Sequence, residues 1–96
     1  MKRKTDIHTF EKLDNIVSAE IDGELVMLNM EQGGYYGKTG IAPYLWKVLD
    51  KPKTVSELVD SVCSNFDVCE ETCRNDVQRF LGEMVKFGLI TETGKD

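Results

Sequence analysis

From Ile16 to Ile21, and again from Glu24 to Met30, the chain runs through β-prone residues separated only by Asp22-Gly23. That dipeptide favours the tight turn of a two-residue hairpin. In the second run Val26, Leu28 and Met30 alternate on one face with Asn29 on the other, and the apolar face is expected to meet the helices. Glu31 to Gly34 supplies the next turn, and Tyr35, Tyr36, Gly37 and Lys38 return as a short third strand. Two aromatics favour extension there, and Gly37 leaves the strand partly bare. The pattern predicts a three-stranded antiparallel meander paired in sequence order, with the third strand at an edge.

The period then changes to that of helices. Thr39 is the expected N-cap of a segment in which Ile41, Leu45, Val48 and Leu49 form an apolar stripe flanked by Trp46, and Pro43 is tolerated in the first turn. After Lys51-Pro52-Lys53, Thr54-Val55-Ser56-Glu57 reads as a capping box opening a second helix, whose inner face is Val55, Leu58, Val59, Val62 and Cys63. A third helix is expected from about Glu70 to Phe87, with Cys73, Val77, Phe80, Leu81, Met84 and Phe87 at helical spacing and Gly88 closing it. Three strands followed by three helices predict an α+β domain with helices on one face of the sheet, in the element order of a winged-helix-like fold. The polar start is read as a flexible arm over 1–14, anchored at most by Ile7 and Phe10; the domain proper covers 15–91, and 92–96 is a tail.

Composition narrows the function. The chain has 96 residues, 41% of them hydrophobic, which suits one domain with one core. A net charge of −5 opposes general affinity for nucleic acid, and Arg74, Arg79 and Lys86 are outnumbered on the third helix by Glu70, Glu71, Asp76 and Glu83. A winged-helix DNA-binding regulator is therefore the weaker reading. No apolar run has the length of a membrane span and no signal-peptide core is evident, so no membrane partner and a cytoplasmic location are expected. Cys63, Cys69 and Cys73, an odd set, suit reduced thiols.

Chemistry-bearing clusters are missing from the pattern. His8 and the three cysteines match no zinc spacing, and Asp76 stands where an iron–sulfur motif would need a third cysteine after Cys69 and Cys73. His8 is the only histidine, so no histidine-assisted nucleophile can be built in the ordered part. Gly33, Gly34, Gly37 and Gly40 do not form a phosphate loop. Neither metal, cofactor nor catalysis is expected. The edge strand is the feature left to carry function, because an unpaired edge can accept another strand.

The stretch "DGELVMLNMEQGGYYGKTGIAPYLWKVLD", followed by "KTVSELVDSV", "FDV" and "DVQRFLGEMVKFGLI", resembles the PqqD-like family of peptide-binding modules known as RiPP recognition elements. The resemblance covers about Asn15 to Ile90. It implies a module that holds the leader of a ribosomally made precursor peptide as an added strand and delivers it to a maturation enzyme: a protease, a cyclase or a radical enzyme. Trp46 in the first helix and the free-standing form are most similar to members from lasso-peptide pathways; pyrroloquinoline quinone biosynthesis is the alternative. Carried onto this chain, the resemblance implies an accepting edge of Gly34, Tyr35, Tyr36, Gly37 and Lys38. It implies a groove wall on the outward side of the third helix, with Arg74, Val77, Gln78, Leu81 and Val85 as candidates. Lys38 replaces the apolar residue usual after "YYG", which favours an acidic leader residue at that point.

Overall fold

The computed structural model describes residues 8–94. Strands β1 (His8–Lys12), β2 (Ile16–Ile21), β3 (Glu24–Asn29) and β4 (Tyr35–Lys38) precede helices α1 (Ala42–Val48), α2 (Val55–Asn65) and α3 (Glu70–Lys86), and β5 (Ile90–Gly94) closes the chain. The meander is present as an antiparallel sheet of order β2-β3-β4. Asp22 and Gly23 both adopt positive φ, 52° and 82°, as the twist-matched two-residue hairpin requires.

The helix ends follow local rules with one exception. In α2 the Thr54 hydroxyl accepts from the Glu57 amide at 3.1 Å while the Glu57 carboxylate accepts from the Thr54 amide at 2.8 Å, completing the capping box. At the end of α3, Gly88 at φ 74° lets its own amide reach the Val85 carbonyl and that of Leu89 reach Met84, a Schellman closure. The exception is α1. Its N-cap is Ile41, without a side-chain cap, so Thr39 does not play the expected part.

Two sequence expectations are corrected. The residues of the arm reading that lie in 8–12 form β1, which pairs antiparallel with β5 in a separate ribbon, Phe10 opposite Glu92. Phe10 also exchanges both backbone hydrogen bonds with Lys53, at 2.8 and 3.0 Å, and its ring joins the core. Nothing local announces this strand, because its partners stand some eighty positions away; the ribbon also takes in 92–94, read as tail. The first seven residues of the arm reading, with Ile7, lie outside the described residues.

The second correction concerns β3. Leu25, Met27 and Asn29 are the buried positions, whereas Val26 and Leu28 are half-buried and Met30 is exposed. The inner face therefore carries an asparagine and the more regular apolar stripe points outward. Asn29 compensates by using its full amide. Its Nδ2 donates to the Gly88 carbonyl at 2.8 Å, while Oδ1 accepts from Glu31 N at 3.0 Å, Gln32 N at 2.9 Å and Asn15 Nδ2 at 3.1 Å. A buried polar group so satisfied costs little to bury and fixes the register that presents it.

Under the sheet, Met27, Leu45, Leu58, Val59, Val77, Leu81, Met84 and Leu89 make up the centre of one continuous core. Trp46, expected to flank the stripe, is buried, with its indole Nε1 donating to Ser18 Oγ at 2.8 Å and Lys12 Nζ lying 4.6 Å over its ring. Loss of water there lowers the Lys12 pKa. Cys73 is buried with Cys63 beside it, and its thiol is pushed up to about 11, first by burial and then by that contact.

Two outcomes follow for the fold. Asn29→Ala leaves two backbone amides and the Gly88 carbonyl without their partner, and urea unfolding is expected to show a loss of about 2–4 kcal/mol. Among the thiols, exposed Cys69 is expected to be alkylated by iodoacetamide under native conditions at pH 8 while Cys73 reacts only on unfolding, which peptide mapping by mass spectrometry reads directly.

Candidate peptide-binding site

β4 stands at the end of its sheet, and its far side has no strand partner among the described residues. The phase of its hydrogen bonds is set at the turn, where the Asn29 amide donates to the Gly34 carbonyl at 2.9 Å. Bonded and non-bonded pairs alternate from there through the register Leu28 opposite Tyr35, Met27 opposite Tyr36 and Val26 opposite Gly37. Tyr36 and Lys38 therefore bond inward to β3, and Tyr35 and Gly37 turn their N–H and C=O groups to the open edge. Gly37 has no side chain there, and the Glu24 carboxylate lies beside it on the outer face of the sheet.

Side chains alternate at right angles to this pattern. Tyr36 points toward α3 and stacks on Phe87, with ring centroids 4.7 Å apart and planes 18° from parallel. Lys38 lies on the same side and its ammonium meets the Glu83 carboxylate at 2.5 Å. Tyr35 points the other way and is 69% exposed. The open edge of β4 thus stands beside one flank of α3, and a groove of about 360 Å³ runs between Lys38, the Thr39–Ala42 segment and Asp76, Arg79, Phe80 and Glu83.

The expected helix wall is divided by this geometry. Val77 is fully buried in the core, which corrects its reading as an outward residue. Gln78, Leu81 and Val85 line a different cavity, also about 360 Å³, closed on its other side by His8, Phe10, Val55 and Glu92. Arg74 is engaged by Glu70 at 3.6 Å one turn away. The reason is helical geometry: at about 100° per residue, positions 76, 79, 83 and 87 lie roughly opposite 74, 78, 81 and 85, so one groove cannot take both sets. The residues that do face the edge are Asp76, Arg79, Phe80, Glu83 and Phe87. The charge of Lys38 was the signal that could have found Glu83, once that strand was placed against the helix.

Charges in the groove are already matched. Lys38 is held by Glu83, and Arg79 lies 3.7 Å from Asp76. An acidic leader residue would therefore compete with Glu83 for Lys38 rather than meet a free cation. Arg74 and Arg79 both having carboxylate partners, α3 presents no basic stripe. Among the described residues, no group of three or more His, Cys, Asp or Glu is placed to hold a metal ion, and no helix is long and apolar enough to cross a membrane.

Comparison with known proteins bears on this arrangement. The structure of TbiB1 in complex with the TbiA(beta) leader peptide is similar, at 31% identity and a TM-score of 0.75, over 83% of this chain and 93% of that one. A lasso peptide synthetase B1 complexed with the leader peptide shares the fold at 18% identity and a TM-score of 0.72, covering 85% and 96% of the two chains. No curated protein matches the sequence. The family model for coenzyme PQQ synthesis protein D matches residues 24–90. That span runs from the first residue of β3 through the edge strand and all three helices to the start of β5, so the elements that build the groove are the family's own, and the chain belongs to the PqqD family.

Proposed function

We propose that this protein is a non-catalytic adaptor that binds the leader segment of a ribosomally synthesised precursor peptide as a further strand on β4 and delivers it to a maturation enzyme of a lasso-peptide type of pathway. The observation that carries the reading is the open β4 edge, with the backbone groups of Tyr35 and Gly37 turned toward a groove walled by α3. An extended peptide laid there satisfies those groups, and backbone pairing supplies grip independent of sequence. Its alternate side chains enter the groove against Phe80 and Ile41, which supplies choice. Similarity to TbiB1, solved with a leader peptide, supports the same occupant. Delivery needs no chemistry from the adaptor, since holding the leader raises the effective concentration of the attached core segment at the enzyme. The reading places the protein in the cytoplasm, where thiols such as exposed Cys69 stay reduced.

The edge assignment predicts an asymmetry between neighbouring tyrosines. Tyr35→Pro removes an outward donor and is expected to leave the circular dichroism spectrum unchanged while weakening leader binding at least about tenfold. Tyr36→Pro removes an inward bond and the Phe87 stack, and is expected to destabilise the sheet itself. Equal and undiminished binding by both variants, measured by fluorescence anisotropy with a labelled leader, would place the peptide elsewhere.

The flank assignment predicts a second contrast. Arg79→Glu and Phe80→Ala are expected to weaken the leader complex, Phe80→Ala also costing stability, while Gln78→Glu on the opposite flank leaves affinity within about twofold. Glu83→Gln releases Lys38, so a leader analogue with an acidic residue beside it should gain up to about fivefold over its amide counterpart, the worth of a partly exposed pair. Titrating both analogues against parent and variant checks this.

A further inference from the structure

The helices cover one face of the β2-β3-β4 sheet, and among the described residues the other face is open. An antiparallel sheet in that position ordinarily turns polar residues outward. Here the outward positions are apolar across all three strands except at Glu24, at the hairpin end, whose side chain lies beside Gly37. Val17 stands opposite Leu28, which stands opposite Tyr35, and Ala19 opposite Val26, which stands opposite Gly37. Ile21 extends the patch along β2, where every residue after Ile16 is exposed. Val17 is 55% and Ile21 56% exposed. A contiguous apolar surface of this kind on a small domain marks an interaction site more often than a solvated face.

The rim identifies what it fits. Between Leu13 and Gly37 the chain has neither lysine nor arginine, and its carboxylates are Asp14, Asp22, Glu24 and Glu31, with Glu20 turned to the helix side opposite Leu25. Asp22 and Glu24 stand at the hairpin end of the patch. Glu31 stands at the other, where Asn15 Nδ2 reaches its carboxylate at 3.5 Å. Two strand cations lie near the sheet, both on its helix side: Lys38 is committed to Glu83, and Lys12 lies over the Trp46 ring. A second copy of the chain would bring acidic rim against acidic rim, and an anionic lipid surface would meet the same repulsion.

We infer that the open face of the β2-β3-β4 sheet is the docking surface for a protein partner whose contact area is apolar at its centre and basic at its rim, namely the enzyme that processes the leader-bound precursor. This rests on the adaptor reading above. Tyr35 belongs both to the patch and to the peptide-accepting edge, so an enzyme seated on the face lies directly beside the bound leader and receives the segment that leaves it.

The test uses Val17→Lys/Ile21→Lys and, as a charge-free control, Val17→Thr/Ile21→Thr, all at exposed positions two strands from the accepting edge. The probes are a labelled leader peptide and the pathway's leader-cleaving peptidase acting on full-length precursor at limiting concentration. Both variants are expected to bind the leader within about twofold of the parent, which also shows that they fold. Stimulation of cleavage should fall at least about tenfold with the lysine pair and less with the threonine pair, and the parent's stimulation should weaken as salt rises. Parent-like stimulation by both variants, with leader binding intact, overturns the docking surface and leaves the adaptor reading standing. A parent that does not bind the leader overturns both. A parent that sediments as a dimer, made monomeric by the lysine pair, assigns the face to a second copy and also overturns the inference.

Discussion

Everything about the accepting edge depends on the Asn29 amide. A sheet strand can slip in register or swing at its turn, and a short edge strand has few bonds of its own to resist. Asn29 resists for it by gathering the turn amides of Glu31 and Gln32, the start of β2 through Asn15, and the end of α3 through the Gly88 carbonyl. Because its backbone amide also bonds Gly34, the same residue sets which β4 groups face outward. The strand that would accept a peptide is thereby locked to the helix that forms the far wall.

This arrangement explains why the edge can stay open without loss of order. Open edges invite unwanted pairing, and proteins blunt them with bulges, charges or brevity. β4 is only four residues long, and its outer groups are reduced to those of Tyr35 and Gly37. Tyr36 on Phe87 and Lys38 on Glu83 hold it from the helix side. What remains is an edge suited to a short extended segment and too small to template a long one.

The meander, the helices, the start of α2 and the end of α3 were legible because they are written in local signals: Asp22-Gly23, the Thr54 capping box, Gly88 after α3. The edge strand was legible for the same reason. Three features were not. The β1–β5 ribbon joins segments at opposite ends of the chain, and no local period in "HTFEK" distinguishes a strand from an arm. The orientation of β3 was inverted because Val26, Leu28 and Met30 score better as an inner face than a pair of hydrophobics with an asparagine, and the four hydrogen bonds that reverse that preference come from residues 15, 31, 32 and 88. The flank of α3 that meets the edge was missed because Leu81 and Val85 make the other flank the more apolar one, while this flank carries Asp76, Arg79 and Glu83, and only the placement of β4 decides between them.

The β1–β5 ribbon has a bearing on how the chain can be closed and reopened. Antiparallel pairing of His8 with Gly94 brings the two ends of the described chain side by side. The described chain therefore begins and ends at nearly the same point, on the flank of α3 opposite the peptide-accepting edge. The same geometry suits circular permutation: a short bridge can join the ends, and the loop at Phe66 to Val68 offers an exposed place to open the chain without cutting a strand or helix.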